Sequence, residues 1–237
     1  MVIRLPPRSI MGFLYAVVAG LVGLHVTAQV VRFLTGDDRL FGLVYMFSLG
    51  AETNVPAFYA TFSLLFATLL LAAVGLASRG DPSAGTAYWL GLAAVFFYLS
   101  IDEMIGLHER LSEPLRSELG TSGLLHYAWV IPYGVGVLVF GALYLRFLAH
   151  LPRPTAVRFV AAGILFVGGA IGAEMVGGWV LEQYGTANVA FVTIQTIEEV
   201  LEMVGILVFI SAILDYTDRQ FGGLRLDLSS GGIADSA

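Results

Sequence analysis

Six apolar runs alternate with short polar stretches along the chain, at about residues 10–34, 57–78, 87–107, 126–148, 156–181 and 188–214. A helix rising 1.5 Å per residue needs about 20 apolar residues to cross ~30 Å of hydrocarbon. The pattern therefore predicts an all-α, polytopic transmembrane bundle of six helices. The first run passes Val26-Thr27-Ala28, which resembles a leader cleavage site, and continues apolar to Val31. That is too long for a removed leader, so the run reads as a retained span.

The stretches between the runs carry start and stop signals. Residues 35–56 mix polar and apolar positions, with room for a short interfacial helix in the middle. Thr53 or Asn54 followed by Pro56 reads as the cap and first turn of the second helix. Residues 79–85 form a Gly/Pro/Asp turn, and Pro152 and Pro154 mark another turn at 149–155. Residues 109–125 are amphipathic, and Ser112-Glu113-Pro114 reads as a helix start. The fifth run is rich in small residues. Its Gly168/Gly172 and Ala173/Gly177 spacings allow close backbone approach and place that helix at the centre of the bundle. The second run has no ionisable residue except tyrosine and reads as packing against lipid and neighbours. The organisation is thus a nine-residue N-terminal segment (1–9), a membrane domain (10–216) and a Gly/Ser/Asp-rich tail (217–237) read as disordered.

Composition narrows the chemistry. The chain is 57% apolar and only 13% charged, outside the range of soluble globular proteins. A net charge of −6 leaves no basic footprint for nucleic acid, so the expected partner is the lipid bilayer, with a homo-oligomer or partner subunit left open. Absence of cysteine removes disulfides, thiolate nucleophiles and Cys-ligated metal. All twelve basic residues are arginine, so Schiff-base chemistry, which needs a lysine amine, is excluded. Eight arginines fall on the side of the termini, the 2–3 loop and the 4–5 loop, against four on the other. This predicts an inner (plasma) membrane protein with both termini cytoplasmic. Trp129 and Trp179 then belong to an outer aromatic belt and Trp89 to an inner one.

The charges inside the apolar runs stand out. Asp102 and Glu103 end the third run, with His108 and Glu109 just beyond. Glu174 lies in the fifth, and Glu198, Glu199 and Glu202 lie in the sixth. An ionised carboxylate in hydrocarbon costs several kcal/mol, so such groups face the interior and pair, bind a cation or take up a proton. Under the six-span topology, helices three, five and six bring these acids into one cluster open to the outer side. Asp102, Glu103, His108, Glu174, Glu198, Glu199 and Glu202 form the expected metal or proton site. His25, Glu52, Glu109 and Gln195 lie at its edge. Glu198 and Glu199 each share a face with Glu202. On the helical wheel Glu103 and His108 stand about 140° apart, so they cannot chelate together. The Glu-x-x-His spacing of di-iron helices is missing. Ser100-Ile101-Asp102-Glu103 and Thr196-Ile197-Glu198-Glu199 also suggest an inverted repeat of three helices each.

Leu49-x-x-Glu52-x-Asn54-x-Pro56, Leu99-x-x-Asp102-Glu103 with His108-Glu109-Arg110, and Glu198-Glu199-x-x-Glu202-Met203-x-Gly205 together make a pattern. It resembles a family of small bacterial integral-membrane proteins of unknown function. The resemblance implies that these polar residues belong together and carries no activity. The expectation is a carboxylate/His site for a divalent metal (Mn, Fe, Zn or Mg), acting on a lipid-soluble substrate. The alternatives are a proton- or cation-coupled transporter or channel using the same acids, and a non-catalytic scaffold. No residue is assigned a catalytic role.

Overall fold

The computed structural model describes residues 2–4, 6–37, 39–79, 85–186, 188–223 and 225–227. Helix α1 (Pro7–Thr35) leads through a 3₁₀ turn (Leu40–Gly42) into the short α2 (Leu43–Phe47). Then come α3 (Val55–Ala77), α4 (Thr86–Ile105) and α5 (Leu107–Leu119). The chain continues with α6 (Val130–His150), α7 (Arg153–Val167), a π-helical segment (Gly168–Ala173) and α8 (Glu174–Tyr184). It closes with α9 (Val189–Phe221). Two three-residue strands, β1 (Val2–Arg4) and β2 (Arg225–Asp227), pair antiparallel. Residues 228–237, the end of the stretch read as a disordered tail, lie outside the described residues; α9 itself runs on to Phe221.

Among the described residues, five helices are long and apolar enough to cross a membrane: α1, α3, α4, α6 and the continuous Arg153–Tyr184. The short helix expected before the second span is α2, and Asn54 is the cap of α3, accepting the Ala57 N–H at 3.1 Å.

The centre of the bundle is α9, not the fifth span. It packs against α1, α3, α7, α8 and the π segment, and Leu207, Ile210 and Ile213 on it are fully buried. The small residues of the fifth span serve that contact from outside. Of the five span candidates α3 is the most buried, while Phe58, Phe62 and Leu69 on its other side stay exposed. Arg158 on α7 and Asp215 on α9 pair at the end of the bundle away from α5. There the core is aromatic: Trp89 sits among Phe147, Phe159 and Tyr216 with no exposed surface. Trp89 is therefore a core residue and not part of an aromatic belt. Trp129, 4% exposed, is not a belt residue either.

Amphipathic α5 begins at Leu107, not at Ser112, and carries Pro114 inside it. The start is fixed from the preceding helix. Gly106 adopts φ 59°, which breaks α4, and the Asp102 carboxylate accepts the His108 N–H at 3.0 Å in the first turn of α5. A carboxylate at a helix N-terminus satisfies a donor that the helix leaves open and complements the dipole. No local capping sequence reveals this, because the cap comes from six residues upstream.

Candidate functional site

At the α5 end of the bundle lies a cavity of about 60 Å³. Glu103 from the end of α4, His108 and Glu109 from α5, Glu174 from α8 and Glu198, Glu199 and Glu202 from α9 line it. Glu52 from the loop before α3, Gln195 and Tyr127 complete its polar wall. Of the residues singled out in the sequence, Asp102 and His25 stand behind this wall, and the rest are on it. Seven carboxylates and one imidazole thus meet in a space suited to an ion and very few waters. No arginine is among its lining residues.

The break at Gly106 is what lets His108 join. The 140° separation from Glu103 holds only on one continuous helix, and the chain turns between the two residues. A Cβ at Gly106 would also stand 3.3 Å from the Glu52 carboxyl carbon, so glycine serves both the turn and the close approach. Glu52, His108 and Glu109 each place a ligand atom within 4.8 Å of the others. His108 Nδ1 faces Asp102 Oδ2 at 3.1 Å, which leaves Nε2 for the cavity. Asp102 also accepts from Tyr133 at 3.3 Å, and Tyr133 meets the Tyr98 hydroxyl at 2.5 Å. The Trp129 ring lies 4.7 Å from the imidazole and its N–H donates to Glu174 at 3.2 Å. Asp102 is thus the residue that orients His108 and does not itself line the cavity.

His25 has a different task from the one its position in a span suggested. Its Nδ1 accepts the Leu49 N–H at 3.1 Å, so the proton sits on Nε2, 2.9 Å from the Thr196 hydroxyl. Thr196 in turn donates to the Val192 carbonyl. Both ring nitrogens are occupied, and His25 pins the 49–52 loop between α1 and α9. Gln195 holds the same loop from α9, donating to the Gly50 carbonyl at 3.0 Å, against a glycine with no room for a Cβ. Tyr45 donates to the Glu52 carbonyl, and Thr53 takes φ 56°, costly for a β-branched residue. The loop is held by three side chains, and the Oε2 that it presents on Glu52 is buried with no hydrogen-bond partner.

Glu174 arrives through the π segment. In π geometry the backbone bonds run i→i+5, so residues five apart share a face. Gly169 and Glu174 therefore both turn to α9. Gly169 packs so closely that a Cβ would be 2.7 Å from the Glu198 carbonyl and 2.9 Å from Glu202 Cγ. The expected Gly168/Gly172 pair faces open space instead, because the extra residue in the turn shifts the contact register by one. Glu174 and Glu198 then line the same cavity, with the Trp129 N–H holding the Glu174 carboxylate at 3.2 Å.

Outside the spans, the electrostatics are readable from two groups. Burial, with the Glu109 charge beside it, raises the pKa of Glu52. Burial alone would lower that of His108, but the Asp102 hydrogen bond and charge, with Glu109 and Glu103, outweigh it and raise the value. Both groups hold protons more tightly folded than unfolded. Their stabilisation is complete below the ordinary values of 4.5 and 6.5 and is lost as pH rises through the folded values. In detergent with chelator, the melting temperature should fall from about pH 5 to about pH 8. A midpoint that climbs over that window would contradict the placement of both groups.

Residues 10–217 match the family model described as Domain of unknown function (DUF8692), a range that includes every residue of the cavity wall. No curated protein matches the chain. No solved structure matches it either.

Proposed function

The chain belongs to the DUF8692 family, whose activity is unknown, and from the cavity we propose that it is a plasma-membrane protein holding a divalent metal ion among carboxylates. The observation that carries the reading is the charge imbalance: seven carboxylates and one histidine, with no arginine on the wall. Buried charges of one sign need a partner, and a divalent cation of the Mn, Fe, Zn or Mg type suits an oxygen-rich set with one imidazole. Glu52, His108 Nε2 and Glu109 would hold it at the mouth, with Glu103, Glu199 and Glu202 below. Such an ion would supply Lewis acidity toward a water or a lipid-soluble substrate. The orientation that fits is six spans, α9 included, with both termini inside and the cavity open outward, supported by the eight-to-four arginine asymmetry.

The role of each protein group follows from its contacts. Asp102 fixes the imidazole and its tautomer, as carboxylates behind metal-bound histidines do. Asp102→Asn is expected to weaken metal binding about 10- to 100-fold, while Tyr133→Phe, which removes only one bond to Asp102, changes it little. Competition against a chromophoric chelator measures both. Wild-type affinity in Asp102→Asn would remove His108 from the ligand set.

The second reading, transport of protons or cations, draws on the depth of the acids: Glu202 lies about 20 Å along α9 from its first residue. Against it stands the apolar plug of Leu207, Ile210 and Trp89, fully buried, at the other end. Elemental analysis of purified protein, with proton flux into liposomes in parallel, separates the two. Stoichiometric metal without flux supports a metal centre. Flux without metal overturns it.

A further inference from the structure

Tyr133 on α6 has two partners that metal binding alone does not use. Its hydroxyl lies 3.3 Å from each carboxylate oxygen of Asp102 and 2.5 Å from the hydroxyl of Tyr98 on α4. A phenol carries one proton and an ionised carboxylate none, so Tyr133 donates to Asp102 and Tyr98 donates to Tyr133. Both phenol protons are therefore directed inward, from Tyr98 toward Asp102. Asp102 is 5% exposed, whereas Tyr98 is 42% exposed on the side of a helix long and apolar enough to cross a membrane. The chain of hydroxyls thus runs from the face where the bilayer would lie to the carboxylate behind the cavity wall.

Holding Asp102 in place does not require this chain. The His108 backbone N–H at 3.0 Å and the His108 Nδ1 at 3.1 Å already engage one carboxylate oxygen each. A second phenol on the exposed side adds nothing to that task. The rings also follow one another. Centroids lie 6.4 Å apart from Tyr98 to Tyr133, 5.0 Å from Tyr133 to Trp129 and 4.7 Å from Trp129 to His108. Electrons cross gaps of this size readily. A phenol gives up an electron far more easily when a positioned base takes its proton in the same step, because the radical cation otherwise left behind is a very strong acid. Even a carboxylate that already accepts from His108 is basic enough for that.

We propose that Tyr133 is a redox-active residue that carries electrons one at a time from a lipid-soluble phenol or quinol at Tyr98 to the metal centre, passing its proton to Asp102. The oxidant is the metal ion in its higher oxidation state, which restricts the candidates to Mn or Fe. That ion takes one electron from Tyr133, the Tyr133 O–H bond breaks and the proton moves to Asp102. The neutral Tyr133 radical takes a hydrogen atom from Tyr98, and Tyr98 takes one from the donor. The net change is one hydrogen atom lost by the donor, one electron gained by the metal and one proton gained by Asp102. A phenoxyl radical abstracts from a phenol or quinol O–H and not from a saturated alkyl chain, whose C–H bonds are stronger, and this sets the donor class. The inference rests on the metal reading for its oxidant, but not for the hydrogen-bonded chain.

The test uses the full-length protein in nanodiscs, flash-oxidised with a ruthenium polypyridyl sensitiser and persulfate and trapped by freezing. High-field electron paramagnetic resonance should show a neutral tyrosyl radical that accepts a hydrogen bond. Tyr133→Phe should lose that signal while keeping its metal. In Tyr98→Phe the radical should remain, with its g-tensor shifted to that of a radical without a hydrogen bond. Asp102→Asn, which removes the proton acceptor, should lose the signal. A lipophilic hydroquinone in the bilayer should shorten the radical lifetime in the wild type and leave it unchanged in Tyr98→Phe. An unaltered spectrum in Tyr133→Phe or Asp102→Asn, or equal quenching in the wild type and Tyr98→Phe, overturns the proposal. Metal analysis of the same preparations separates this failure from the other. A Tyr133 radical in protein that holds no metal sinks the metal centre and leaves the Tyr133–Asp102 couple, and stoichiometric metal with the radical on other tyrosines does the reverse.

Discussion

Replacing Glu199 and Glu202 together by glutamine is expected to empty the cavity of metal and, at the same time, to make the metal-free protein harder to unfold. Both consequences come from one cause. The two side chains are on the wall among five other carboxylates, and glutamine keeps their size while removing their charge. Without a cation the wild type must hold like charges together or take up protons. The variant has two fewer charges to compensate. The cation, in turn, stabilises only the folded state: at a thousand times its dissociation constant it contributes about 4 kcal/mol. For a chain of this length that is a melting shift of roughly 8–16 °C on adding chelator to the wild type. The double variant should show almost no shift with chelator and melt above the metal-free wild type. Thermal denaturation with and without chelator, beside elemental analysis, reads both effects. Equal chelator sensitivity in the two proteins would show that these glutamates do not hold the ion.

How far the sequence goes toward this site depends on which interactions are local. The apolar runs and the acids inside them obey a rule that needs no fold: charge in hydrocarbon must be answered. That alone picked out Glu103, Glu174, Glu198, Glu199 and Glu202, all on the wall. The helix wheel failed where the helix itself stops. Gly106 is legible as a glycine, but its left-handed φ is not, and the wheel that separates Glu103 from His108 runs across a break in the helix. Asp102 and His25 looked like ligands by residue type. Their actual work, orienting His108 and pinning Leu49, depends on partners 6 and 24 residues away. Trp129 reads from the sequence as a belt aromatic and Tyr127 carries no signal of its own, although Tyr127 lines the cavity and Trp129 donates to Glu174. The missing di-iron spacing said little either, since His108 and Glu109 enter from a separate short helix.

The π segment is the least legible feature and gives the sharpest contrast between neighbouring glycines. Gly169→Ala places a methyl 2.7 Å from the backbone carbonyl of Glu198. A backbone atom cannot rotate aside as a side chain can, so α7 and α9 must separate, at a cost of about 1–3 kcal/mol or more. That movement withdraws Glu174 from Glu198, so metal retention should fall with stability. Gly172→Ala, three residues on, meets nothing within 4 Å. It should change stability by no more than about 0.5 kcal/mol and leave the metal in place. If the turn were ordinary α-helix, Gly168 and Gly172 would share the packed face and the ranking would invert. Deleting Ala170 tests the same geometry from the other side. It removes the extra residue of the turn and rotates α8 by about 100° against α7. Glu174 then leaves the cavity, and Gly178 leaves its place against Tyr127, where a Cβ would come within 2.9 Å of the ring. Loss of the Trp129–Glu174 hydrogen bond should appear as a shift in tryptophan emission, with metal content falling in parallel. Unchanged emission and full metal in the deletion would mean that the extra residue does not aim Glu174 at all.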